Sequence, residues 1–392
     1  LCEAWFEKFK VFYDDKSEKW KDFFNKFVMP YQEENFLKFL KEGENPKDFI
    51  ISDEKNKDKI WEEFFILNEE IKKEGEKCPH IQWFKPEEYK DKLLITPLPP
   101  LLPLMRFSRT LQVASIIMKS MGKEEESEGL LKELYEAKEK LKIKGQPLIN
   151  TLIRIAMEKV YILGEAFSLS MEKKLDPEKV KRIEKISKDE LSVLISSLNL
   201  EFLTIFSCLK NPKLEEHLSS DFPIESKRFS KYIPKFILRA FLYRETKNYL
   251  FNIYNLFENL KNVKGAENRY LWSKIKNLKL KTSYYYFDIK NIYARNLISI
   301  AQARSLLLSE KVLEFYFQNN MLPENIDGFG SPDFIDPFSE KKLLYKKIDE
   351  KKFSVYSVGW DGKDDGGKDL YISGAIKIDK LNQDTGFVFS VK

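Results

Sequence analysis

The chain has 392 residues, 43% of them hydrophobic, with 67 Lys and Arg against 62 Asp and Glu. That length allows two or three domains, and 31 Phe against 15 Gly favours packed helices over a glycine-rich β fold. A net charge of +5, with Lys and Glu interleaved along the chain, argues against nucleic acid, whose binders gather Lys and Arg on one face.

Cys2, Cys78 and Cys208 are far apart and form no CxxC pair, which argues against a structural zinc site and allows at most one disulfide. No run of about 18 apolar residues occurs, so no transmembrane helix is expected within these residues. The sequence starts at Leu1, which fits either a processed signal or anchor ahead of it or a trimmed boundary.

Three regions follow one another. Residues 1–103 are an aromatic-rich helical region with a Pro-rich crossing segment. Trp5, Phe6, Phe9, Phe12 and Tyr13 recur at helical spacing, as do Trp20, Phe23, Phe24 and Phe27 before Pro30. Trp61, Phe64, Phe65 and residues 67–71 mark another helix. From Gly75 to Pro103 the density of prolines predicts an extended segment.

Residues 104–287 form a helical body. The spacing predicts helix, turn and helix from Leu104 to about Gly145, with the turn at Met121-Gly122-Lys123. A third helix is expected from Leu148 to about Ser170, and a fourth after Asp176-Pro177, with Pro in the first helical position. A further helix is expected to start near Ser187, another over 234–262, and a tyrosine-rich segment ends at Phe287. Short turns and small residues resemble a tetratricopeptide hairpin in part, but no second copy recurs at a fixed period.

Residues 288–392 hold a long helix to Asn319, with Ala294, Ile298, Ala301, Leu308, Val312 and Phe315 as its buried stripe, and then a small β module. Strands are predicted at 342–348, 353–358, 370–378 and 387–391, with a turn at 349–352. The fold class is therefore mainly α with a small C-terminal antiparallel β module, α+β.

One stretch carries chemistry. Ser357-Val358-Gly359-Trp360-Asp361-Gly362-Lys363-Asp364-Asp365-Gly366-Gly367 gathers three carboxylates and four glycines. Clustered carboxylates repel one another, and a hard cation such as Ca²⁺ relieves this by taking several oxygen ligands. An EF-hand is excluded, since Lys363 stands at its third position and Ile372 at its twelfth. A solvated Asp-Gly turn is the alternative reading of the loop alone.

The order of motifs around this loop resembles a known module. A long apolar helix is followed by Asn319-Asn320-Met321-Leu322-Pro323-Glu324, Asp336-Pro337-Phe338-Ser339, Leu343-Leu344-Tyr345, and the run from Phe353 to Gly362. It is similar to the C-terminal module of type II secretion major pseudopilins. It is more similar still to uncharacterised, membrane-anchored bacterial envelope proteins frequent in planctomycetes, which end in a Tyr-Ser-Val-Gly-x-Asp-Gly-x-Asp-Asp-Gly-Gly stretch. Cys78-Pro79, the Leu-Pro run at 98–104 and residues 146–156 extend that second resemblance upstream.

The resemblance implies a pseudopilin-like helix-and-sheet cap with Ca²⁺ as cofactor. Asp361 is then the first ligand, with the Val358 carbonyl beside it, Asp364 or Asp365 next, and Asp384 returning from the final strand. Residues 368–383 are longer than the family's loop, and Trp360 is not its usual residue before the Asp. Here the helix also carries Asp288, Lys290, Arg295 and Arg304, which excludes a membrane-packed pilin stem.

No GxSxG, P-loop, GxGxxG or HExxH motif occurs, and His80 and His217 are the only histidines. No catalytic residue is assigned. The expected function is a non-enzymatic, extracytoplasmic envelope protein, with a helical scaffold or docking body and a calcium-stabilised cap. Protein partners or self-association are expected, nucleic acid is not, and membrane contact comes only through an anchor ahead of Leu1. The alternatives are a structural subunit of a surface or secretion-associated assembly, and an envelope hydrolase with a carboxylate pair.

Overall fold

The structure, a computed structural model, describes residues 57–78, 101–142, 148–172, 174–188, 289–329, 334–367 and 383–391, together with 8, 20, 22, 24–28, 193–194, 196–197, 200, 244 and 370. The expected helix over 234–262 apart from residue 244, the tyrosine-rich segment, both histidines and the strand expected at 370–378 apart from residue 370 lie outside them. Among the described residues there are six α-helices: α1 (Lys57–Glu76), α2 (Leu101–Ser120), α3 (Glu124–Lys140), α4 (Leu148–Glu172), α5 (Pro177–Ser187) and α6 (Ile289–Asn319). A π-helical turn spans Phe24–Val28, and three strands follow, β1 (Leu344–Asp349), β2 (Lys352–Ser357) and β3 (Thr385–Ser390). The chain is thus mainly helical with a small antiparallel sheet. No described helix is long and apolar enough to cross a membrane.

Local chemistry sets the helix ends. Asp176 caps α5, its carboxylate accepting the Glu178 N–H at 2.7 Å, with Pro177 in the first turn, where no donor is required. Between α2 and α3, Gly122 takes φ +79° and its N–H bonds the Lys119 carbonyl, so the turn closes in three residues. Asn320, at φ 55°, ends α6.

The Pro-rich segment is shorter than expected at both ends. α1 continues through Gly75 to Glu76, and α2 begins at Leu101, so that Pro103 lies inside its first turn. A proline costs a helix nothing there, because the first N–H groups have no intrahelical acceptor. Ser187 ends α5, and of the helix expected to start near it, residues 193–194, 196–197 and 200 are described and helical.

The body packs α2 against α3 and α4, with α6 lying along α4 and α5. Gly164 of α4 faces Leu131 and Gln112 so closely that a Cβ would press on the Leu131 side chain. α6 is the surprise of the interior. Its apolar stripe is buried as expected, Phe315 only partly, but Asn296, Ser299, Gln302, Ser305, Ser309 and Glu310 are buried too. The helix is enclosed nearly all round over most of its length, and its far side meets the sheet.

β2 is the centre of the sheet, antiparallel to both neighbours, in the order β1-β2-β3. The β1–β2 turn pairs Asp349 with Lys352 and shifts register after Lys347, and the Asp349 carboxylate takes the Lys351 N–H at 2.8 Å. Such a bulge adjusts strand twist where the turn residues have no positive φ.

Register assigns the two faces. Phe353 pairs Phe389 and Val355 pairs Phe387, so these four lie on one face together with Tyr345 and Thr385. That face packs on α6, where Gln302 donates to the Thr385 hydroxyl at 3.3 Å. Phe353 and Phe389 stack at 5.7 Å between ring centres. Tyr356, Gly386 and Lys346 lie on the opposite face, which the loop after β2 covers. One hydrophobic core runs from the helical body through α6 into the sheet.

Candidate metal loop

The loop after β2 is anchored at its root by a carboxylate from another segment. Asp336, 1% exposed, accepts four hydrogen bonds. Two come from its own turn, the Phe338 N–H at 2.9 Å and the Ser339 hydroxyl at 2.7 Å. Two come from the end of β2, the Ser357 hydroxyl at 2.7 Å and the Val358 N–H at 3.3 Å. Ser357 also accepts the Gly359 N–H at 3.1 Å. Arg304 of α6 holds the approach, donating to the Ile335 carbonyl at 2.6 Å and to the Ser187 carbonyl.

From this root the chain turns sharply. Gly359 has φ +64°, and a Cβ there would strike the Gln383 carbonyl. Gly367 has φ +62°, and a Cβ there would strike the ring of Tyr356. Both positions need glycine for conformation and for space. Between them, Asp361 accepts the Lys363 N–H at 2.9 Å, and Asp364 accepts the Gly366 N–H at 2.8 Å and the Tyr356 hydroxyl at 3.1 Å. Lys346 reaches across from β1 to the Gly366 carbonyl at 3.0 Å.

Asp384 lies beneath the loop, one residue before β3. One of its oxygens, Oδ2, accepts the N–H groups of Asp365 at 3.1 Å and Gly367 at 2.9 Å. Its other oxygen, Oδ1, is buried without a hydrogen-bond partner, although the residue is only 1% exposed. Burial pushes this carboxyl up to about 6, and the negative charges of Asp364 and Asp365 push the same way, against the two N–H groups. The Tyr356 hydroxyl is also pushed well up, by burial first and then by its bond to Asp364.

The structure therefore brings Asp384 under the loop, within electrostatic reach of Asp364 and Asp365, while those two aspartates stay exposed on the rim. Asp361 is partly exposed, and Val358 is buried at the root with its N–H on Asp336. Among the described residues, no three His, Cys, Asp or Glu side chains converge closely enough to form a ready metal cage. Asp361 and Asp364 each commit an oxygen to a local turn. The donor set is nonetheless all oxygen, and the buried Asp384 Oδ1 is the kind of atom that a hard cation satisfies. Residues of this kind fit Ca²⁺ in chemistry.

Three contributors carry no role in the sequence reading: Asp336 as the clamp, and Tyr356 and Lys346 as props of the loop. Asp336 stands in a recognisable Asp-Pro-Phe-Ser motif, so the residue was visible and its partners were not. Tyr356 and Lys346 look like ordinary members of alternating strands.

One finding elsewhere bears on the chain's surroundings. Cys78, just after α1, is in a disulfide, and the other two cysteines of the chain lie outside the described residues. No family model matches this chain, and neither a curated protein nor a solved structure matches it.

Proposed function

We propose that this chain is the extracytoplasmic part of a bacterial envelope protein, in which a helical scaffold or docking body carries a calcium-stiffened, pseudopilin-like cap and performs no catalysis. The observation that carries the reading is Asp384 Oδ1, a buried carboxylate oxygen left without a partner beneath the exposed Asp364 and Asp365. A divalent cation would supply the missing positive charge, with Asp384, Asp364, Asp365 and Asp361 as its side-chain ligands and the Val358 carbonyl as a further oxygen. Bound there, it would screen the carboxylates from one another and stabilise the folded loop by mass action. The disulfide at Cys78 favours an oxidising compartment, because such bonds are rare in reducing ones. The α2–α3 hairpin supports a tetratricopeptide-like reading of part of the body.

The test is a thermal melt in excess chelator and then with added calcium. The expected result is a lower transition in chelator and a rise that saturates with calcium, about 2.7 kcal/mol at a hundredfold excess over the dissociation constant. Asp384→Asn, which keeps an acceptor for the two N–H groups but removes the charge, should abolish the rise. Identical transitions in both conditions would remove the metal from the account.

A further inference from the structure

The helical body buries an ammonium that has no hydrogen-bond partner. α4 carries Asn150, Arg154, Glu158 and Lys159, each 0 or 1% exposed. α6 lies along it in the same direction, since Ser299 meets Glu158 at 3.5 Å and Glu310 accepts the Leu175 N–H beyond the end of α4. Glu158 is already shared: Arg154 reaches it at 2.5 Å and Lys138 of α3 at 3.2 Å. Lys159, the next residue, projects about 100° further round the helix and gains neither a bond nor an ion pair from it. Its Nζ is wholly buried with no hydrogen-bond partner.

The surroundings make this worse. Burial, and then the repulsion of Arg295 of α6, lower the pKa of the Lys159 ammonium to about 7, against the opposing pull of Glu158. Asn296, next to Arg295, is 1% exposed with both amide atoms unpartnered. Each buried amide atom without a partner costs roughly 1–3 kcal/mol, and an unpaired buried charge costs more. Water can satisfy the amides, but it brings no charge to the ammonium.

We propose that the seam between α4 and α6 is a binding site for a small oxyanion, a carboxylate or a phosphate, seated on the Lys159 ammonium beside Arg295. The anion supplies the countercharge that Glu158, committed to Arg154 and Lys138, does not. The Asn296 amide of α6, next to Arg295, is a polar group that a ligand of mixed donors and acceptors would use. This inference stands apart from the calcium reading, which concerns a different region and the opposite charge.

The experiment is equilibrium dialysis of the full chain against labelled acetate and, separately, inorganic phosphate, in chelator throughout. Thermal melts run in the same sodium salts against chloride at equal ionic strength. The expected result is one equivalent of one of the two anions bound, and a saturable upward shift of the melt of roughly 2 °C or more. Lys159→Met, which keeps the volume and removes the charge, should lose the binding and the shift while melting no lower than wild type in chloride. Dialysis of wild type does not depend on how that variant folds. Failure of both anions to bind wild type would overturn the proposal, as would undiminished binding to Lys159→Met.

Discussion

The C-terminal module and the helical body bury polar groups in opposite ways. In the module, Asp336 receives four donors and Asp384 two, nearly all from backbone or short side chains within a few residues of a turn. In the body, Glu158 serves two cations and a serine, while Lys159, Asn150 and Asn296 are left over. Loops can aim backbone N–H groups at a carboxylate; helices have already spent theirs on the i−4 carbonyl, so a charge buried between helices depends on side chains alone. The polar interior of the body is therefore sensitive to single changes, and that of the module is distributed.

The largest expected effect tests the sensitive side. Glu158→Gln removes the anion that Arg154 and Lys138 share, Lys138 keeping Glu139 at 2.8 Å, and it should cost about 3 kcal/mol in urea unfolding. A loss below about 1 kcal/mol would mean that the cations find other partners. Next comes Asp336→Ala, which strands the Ser357 hydroxyl and the Phe338 and Val358 N–H groups at once. A loss of roughly 3 kcal/mol is expected, with Asp336→Asn costing less because it keeps an acceptor. Equal losses for Ala and Asn would point to the charge, not the hydrogen bonds, as the source.

How much of this was legible in the sequence follows the same division. The α5 start at Asp176-Pro177, the Gly122 turn, the end of α6 at Asn320 and the three described strands all rest on local signals, caps, positive-φ residues and alternation, and these were readable to within a few residues. The antiparallel sheet was readable for the same reason, whereas its packing on the preceding helix was implied only by the resemblance. The enclosure of α6 was not, because Asn296, Ser299 and Gln302 look like a solvent face until the sheet and α4 close on them from both sides. Pro103 misled in the other direction, since a proline marks a break or a first turn and the sequence does not distinguish them. Of the loop, the ligands and glycines were visible as a motif. The Asp336 clamp joins segments about twenty residues apart and had no signal in either alone.

A smaller effect sharpens the contrast through pH. Glu133 of α3, bonded by the Asn68 amide at 3.0 Å, is pushed up to about 7, mainly by burial. The folded chain therefore binds a proton there more tightly than the unfolded one. The penalty for the charged form applies above pH 7 and is relieved as pH falls toward the ordinary carboxylate range. Glu133→Gln should raise stability at pH 8 on the order of 1–2 kcal/mol, the side chain being partly hydrated, and the gain should vanish near pH 4. A gain that does not depend on pH would assign the effect to packing.

The central claim is that the partnerless oxygen of Asp384 belongs to a cation, and calorimetric titration of the chelator-stripped chain with calcium at neutral pH measures it directly. The account predicts a single saturable site in wild type that disappears in Asp384→Asn and weakens in Asp361→Asn. Absence of a binding heat up to millimolar calcium at two temperatures, or an isotherm that Asp384→Asn leaves unchanged, would contradict it.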